Sequence, residues 1–216
     1  MKKGIIFDMD GTLWDSAESV AKSWDRVIQE QAGGFRRITT EDIRNVMGLT
    51  MTQIGKRLFP DLPDKEAVQL MQECCRVENE DIARYGGVLY PDLENTLQIL
   101  AEHYPLYIVS NCQKGYIEAF LSFYKFERYF LDTECFGNNS MDKAYNIRLL
   151  MMRNHLEQAV YVGDIQADYE SSMQAGADFI HASYGFGSVV PQVPAIRRLT
   201  ELPATVSEVF GDHIFV

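Results

Sequence analysis

The sequence predicts an α/β protein: a Rossmann-like, doubly wound parallel sheet with an inserted helical cap. Three observations predict it. Short runs such as Ile5-Ile6-Phe7, Leu106-Tyr107-Ile108-Val109 and Ala159-Val160-Tyr161-Val162 are apolar throughout, the pattern of strands covered on both faces, which belong to parallel sheets. From Leu93 onward such runs alternate with segments whose apolar residues recur at helical spacing. Between them lies a stretch with four helical patterns and no convincing strand.

In chain order, Ile5 to Phe7 form the first strand, stopped by Gly11. Val20, Trp24, Val27 and Ile28 mark a helix over about Asp15 to Gln31, with Asp15 or Ser16 as its N-cap. Gly33-Gly34 breaks it; Thr40 is expected to cap a second helix from Glu41, and Met51, Ile54 and Leu58 mark a third before Pro60. A fourth runs from about Asp64 to Arg84, with Val68, Met71, Cys75 and Ile82 on its apolar face. Residues 16–86 are therefore read as an inserted helical domain, and residues 1–15 with 87–216 as the α/β core. Within that core Leu93, Leu97 and Leu100 mark a helix, Leu106 to Val109 a strand, and Ile117, Phe120, Leu121 and Tyr124 the next helix. A weak strand at Tyr129 to Leu131, a helix opened by Lys143, the strand Ala159 to Val162, a helix ending at Gly176 and the strand Phe179 to Ala182 follow. A short helix near Ala204 to Phe210 ends the chain.

Composition narrows the function. A chain of 216 residues that is 46% hydrophobic buries a substantial core. Its net charge of -11 and pI of about 4.8 exclude nucleic acid and anionic membrane as expected partners, since both repel an acidic surface. The apolar run after Met1-Lys2-Lys3-Gly4 reaches Asp8 within a few residues, too soon for a signal peptide or a membrane span, so a cytoplasmic location is expected. Cys74, Cys75, Cys112 and Cys135 lack CxxC spacing and read as free thiols. His103, His155, His181 and His213 show no zinc-binding spacing.

Ligands of open α/β sheets bind at the carboxyl ends of the strands, and the polar residues there are the candidate site. Asp8 and Asp10 sit two apart at the first strand end, on one side of an extended backbone, able to bind metal, move protons or simply face solvent. Ser110 and Asn111 end a second strand and are suited to a phosphoryl oxygen. Lys143 starts a helix, where its ammonium adds to the positive helix end. Asp164 and Asp168 follow a third strand.

The order Asp8-Met9-Asp10-Gly11-Thr12, then Ser110, then Lys143, then Gly163-Asp164-Ile165-Gln166-Ala167-Asp168 resembles the haloacid dehalogenase superfamily, whose phosphatases carry DxDGT, Ser or Thr, Lys, and GDxxxD in that sequence. The resemblance covers nearly the whole chain, and by it the helical insertion of residues 16–86 looks like a cap domain. Lys143-Ala144-Tyr145-Asn146-Ile147, Tyr161-Val162-Gly163-Asp164 and Tyr184-Gly185-Phe186-Gly187 are similar to its phosphoglycolate phosphatase-like branch. It implies a magnesium-dependent phosphatase acting on a small phosphorylated metabolite, with phosphoglycolate as the leading substrate. Asp8 would be the metal-bound nucleophile and Asp10 the acid and base, with the Asp10 carbonyl and Asp164 as further magnesium ligands. Asp168 would act on the metal through water or orient Lys143. Gly11, Thr12, Ser110, Asn111 and Lys143 would bind the phosphoryl group. A β-phosphoglucomutase-type mutase and a non-catalytic phosphometabolite-binding module are the alternatives.

Other residues need placing. Lys114 and Lys125 compete with Lys143 for the third motif. Cys112 has no adjacent histidine and reads as a buried thiol. Trp14 reads either as the cavity mouth or as packing, and Gly48 and Thr50 resemble a substrate-facing loop. Ile165 stands where relatives often place threonine. Asp92 replaces the glycine of a usual YPG turn, and Val20 stands where β-phosphoglucomutases carry a histidine.

Overall fold

Strand β1 (Lys3–Phe7) is central, and Ile5, Ile6 and Phe7 are fully buried because neighbours cover both of its edges and both of its faces. The structure is a computed structural model and describes residues 2–212 and 214–215; Met1, His213 and Val216, which the readings above include, lie outside them. Strand β2 (Trp14–Asp15) leads into α1 (Ala17–Gln31), α2 (Thr40–Arg44), α3 (Met51–Leu58) and α4 (Asp64–Tyr85), and β3 (Val88–Leu89) pairs antiparallel with β2 on the way back. Then follow α5 (Leu93–Ala101), β4 (Leu106–Ser110), α6 (Tyr116–Tyr124), β5 (Phe130–Cys135), α7 (Phe136–Asn139) and α8 (Lys143–Arg153). The chain closes with β6 (Gln158–Gly163), α9 (Gln166–Ala175), β7 (Asp178–Ala182), β8 (Ala195–Ile196), a 3-10 turn at Leu199–Glu201 and α10 (Leu202–Phe210).

The main sheet has the order β5-β4-β1-β6-β7-β8, and every neighbouring pair is parallel. Successive strands add on one side of β1 through β5, then the chain crosses to the other side with β6. Both directions meet at β1, and a crevice opens at the carboxyl end of the strands. The period-two alternation divides the core: Ile5 and Phe7 pack on one face with Leu97, Ile108 and Phe120, while Ile6 packs on the other with Tyr107, Ile147 and Tyr161. The helices between β2 and β3 close around a third core built from Val20, Trp24, Ile28, Ile54 and Met71.

Several local expectations change. Thr39, not Thr40, caps α2: its hydroxyl accepts from the Asp42 N–H while the Asp42 carboxylate accepts from Thr39 N–H, a reciprocal capping box. Ser16 occupies the α1 N-cap position but makes no cap bond, because its hydroxyl turns to Asp10. The inward face of α4 is Met71, Cys74, Val77, Glu78 and Ile82, whereas Val68 is 53% exposed. Strand β5 is longer than its apolar residues predict, because Arg153 pairs with the Asp132 and Glu134 that interrupt them. Asp92 does adopt the left-handed backbone the turn requires, at φ 63°.

Candidate active site

Because β1, β4 and β6 run parallel and in register, their ends deliver Asp8, Ser110 and Asp164 to one edge. Lys143 reaches them from the first turn of α8, which Asp142 caps by accepting from Tyr145 N–H. The Lys143 ammonium lies 2.9 Å from Asp8 Oδ1 and 2.5 Å from Asp168 Oδ1, and all three residues are buried. Lys114 and Lys125 are elsewhere: Lys114 lines an outer groove and Lys125 ends α6.

Asp168 is held from both sides. Its Oδ1 accepts from Lys143 and its Oδ2 from the Asp164 and Ile165 N–H groups at 3.1 and 3.2 Å. That arrangement fixes the Asp168 carboxylate against the Lys143 ammonium. Asp164 Oδ2 accepts from Phe186 N–H at 2.7 Å, and Gly11, at φ +88°, leaves the space its carboxylate fills, since a Cβ there would overlap it. Carboxylate oxygens of Asp8, Asp164 and Asp168 all lie within 4.8 Å of one another. Burial raises the pKa of Asp8, which Lys143 offsets only in part, and burial with the neighbouring Asp168 and Asp8 raises that of Asp164. Hard oxygen donors whose negative charge is under-compensated fit a hard divalent cation.

Asp10 takes its hydrogen bonds from other residues. Its Oδ1 accepts from the Tyr116 hydroxyl at 2.6 Å and from Ser16 Oγ, and burial raises its pKa. A carboxyl that lines the cavity and holds its proton more tightly than usual suits proton donation to a leaving oxygen. Tyr161 supports the opposite side, donating to Val109 O at 2.8 Å with its ring 5.6 Å from the Lys143 ammonium.

A cavity between the strand ends and the helical segment is lined by Asp8, Asp10, Ser110 and Asn111 from below. Asn111 Nδ2 donates to Gly48 O at 2.8 Å, tying the loop before α3 to the sheet edge, while Thr50 caps α3. Gly11 and Thr12 do not line this cavity: Thr12 is fully buried, its carbonyl accepts from the Tyr184 hydroxyl, and its own hydroxyl has no partner among the described residues. Trp14 belongs to the core, its ring 4.8 Å from that of Phe120. Cys112 touches the cavity, but burial drives its thiol far from ionisation. Tyr116, Tyr161 and Glu78 escape sequence reasoning, the tyrosines because they read as core aromatics and Glu78 because a lone acid in a polar helix reads as solvated.

With this geometry, residues 5–182 match the family model described as haloacid dehalogenase-like hydrolase. The chain belongs to that hydrolase family. It is 24% identical over 215 residues to a phosphoglycolate phosphatase of Aquifex aeolicus, covering 97% of each chain. It is 26% identical over 209 residues to a phosphoglycolate phosphatase of Salmonella typhimurium, covering 85% of this chain and 82% of the relative. The fold is similar to the crystal structure of a predicted phosphoglycolate phosphatase from Haemophilus somnus, with TM-score 0.82, 20% identity, and 95% and 98% of the two chains covered. It is also similar to a 2-haloacid dehalogenase from Pseudomonas syringae, with TM-score 0.68, 22% identity, and 97% and 100% covered.

Proposed function

We propose that the protein is a magnesium-dependent phosphatase that hydrolyses a small phosphomonoester through an aspartyl-phosphate on Asp8. The observation that carries the proposal is the buried ion bridge Asp8–Lys143–Asp168 beside Asp164, with Asp10 held separately by Tyr116 and Ser16. Asp8, Asp164 and the Asp10 carbonyl would hold the magnesium ion. Bound there, it would supply positive charge that lets a carboxylate approach a phosphate dianion.

Asp8 attacks phosphorus, and the bond to the leaving oxygen breaks as Asp10 gives that oxygen its proton. Asp10, now ionised, takes a proton from water; the hydroxide displaces Asp8 and inorganic phosphate leaves. Lys143 fixes the orientation of Asp8 through Oδ1 and, with Ser110 and Asn111, offsets charge on the transferring group. The helices of residues 16–86 act as the cap, excluding water from the cavity while the reaction proceeds.

Val20, which lines the cavity, supplies no acid or base, and this favours hydrolysis over the mutase alternative. Phosphoglycolate is the finer substrate reading and rests on the named relatives; the cavity chemistry below opposes it. Phosphate release from a panel of phosphomonoesters with magnesium tests the reaction itself. Asp8→Asn is expected to abolish turnover while leaving the circular dichroism unchanged, and an active Asp8→Asn protein would overturn the mechanism.

A further inference from the structure

The walls of the cavity carry a selectivity that phosphoryl transfer does not require. The wall contributed by the helical segment is apolar, with Val20, Ile43, Val46, Leu49 and Ile54, apart from one charged side chain, Glu78. Glu78 is 3% exposed, and its Oε2 accepts from the Trp24 indole N–H at 2.6 Å. Among the described residues lining the cavity there is no Arg, Lys or His. The nearby ammonium, Lys143, is already shared between Asp8 and Asp168. The bond from Asn111 to Gly48 O joins the two walls, and the cavity between them measures about 40 Å³.

We propose that this site selects phosphomonoesters of small alcohols that carry no negative charge and that present a hydroxyl or ammonium donor to Glu78. The inference rests on the phosphatase reading above and narrows its substrate class. A leaving group bearing a carboxylate would be buried against apolar side chains with no cationic side chain beside it and would face Glu78. Glu78 itself reports the field it would meet: burial, with the charge of Asp10, pushes its carboxyl up to about 8 despite the hydrogen bonds from Trp24 and Gln113. A neutral hydroxyl avoids the cost, and an ammonium is attracted.

The test measures kcat/KM at pH 9, where Glu78 is ionised, with magnesium for glycerol 3-phosphate, ethanolamine phosphate and phosphoglycolate, with p-nitrophenyl phosphate as a donor that probes the chemistry alone. The two uncharged or cationic leaving groups are expected to exceed phosphoglycolate by about 100-fold, the scale of unrelieved like-charge contact in a dry site. Glu78→Gln should narrow that ratio to about tenfold, because the repulsion goes and the hydrogen bond to Trp24 stays. Asp8-dependent release from p-nitrophenyl phosphate together with a preference for phosphoglycolate overturns this inference and leaves the phosphatase reading standing. A ratio that Glu78→Gln leaves unchanged also overturns it. No release from any donor overturns both readings. The wild-type ratio is read in the native protein and so holds whatever the variant does to folding.

Discussion

Lys143 ties the proposed chemistry to stability. It is buried with two carboxylates, and burial alone would lower its pKa, but Asp168 and Asp8 outweigh that and hold it charged. Lys143→Ala leaves both carboxylates without their cation, and such a broken buried pair costs about 3–5 kcal/mol. The loss depends on pH. Asp8, already raised, moves higher when its cation is removed, so the folded state binds the proton more tightly than the unfolded state and stability falls as pH rises through the folded pKa. Urea unfolding of Lys143→Ala is therefore expected to show a larger deficit at pH 8 than at pH 5; an equal deficit would refute the account. At this scale the sequence marks the groups that carry charge, because Asp8, Lys143 and Asp164 stand at strand and helix ends. It does not mark the groups that aim them. Tyr116 and Tyr161 are distinguished from other buried tyrosines only by a hydroxyl whose partner is more than 50 residues away, 106 in one case and 52 in the other.

The elements follow the same division. Strands buried on both faces are legible as unbroken apolar runs, and β1, β4 and β6 fall where such runs occur. Strand β5 is obscured because Arg153, from a different element, neutralises its acids, and the two-residue strands β3 and β8 are too short to leave a pattern. On α4 the spacing predicts a helix but not its rotation: Val68 faces out and Glu78 faces in, since the cavity accepts a carboxyl that Trp24 satisfies. Helix starts are clearer in sequence than helix faces. Thr39 begins a five-residue helix, α2, too short to stand on propensity alone, so its capping box matters. Thr39→Ala is expected to cost about 1 kcal/mol of unfolding free energy, measured by chemical denaturation, and a cost near zero would mean α2 is held by packing alone.

For the whole molecule, the acidic cluster sets the link between metal, proton and fold. Asp8 and Asp164 are raised by burial in the metal-free protein, so they hold protons that a divalent cation must displace. Magnesium binding is expected to release protons near neutral pH and to tighten as pH rises toward their ionisation. Calorimetry in buffers of different ionisation enthalpy measures this directly, and an enthalpy independent of buffer would exclude it. The same binding should raise Tm, by about 2.7 kcal/mol of stability when magnesium stands at about 100 times its Kd.

Strands β2 and β3 pair through Trp14 with Leu89 and Asp15 with Val88, so the helical segment leaves and rejoins the sheet domain at one doorway. Antiparallel partners stand only about 4.5–5.5 Å apart, a gap that a turn of two residues could bridge. The segment is thus spliced into the chain as a cassette whose loss or exchange need not disturb the register of the six-stranded sheet. Bond breaking and molecular recognition can consequently be inherited separately: Asp8, Lys143 and Asp164 stay with the sheet, while Trp24 and Glu78 travel with the cassette.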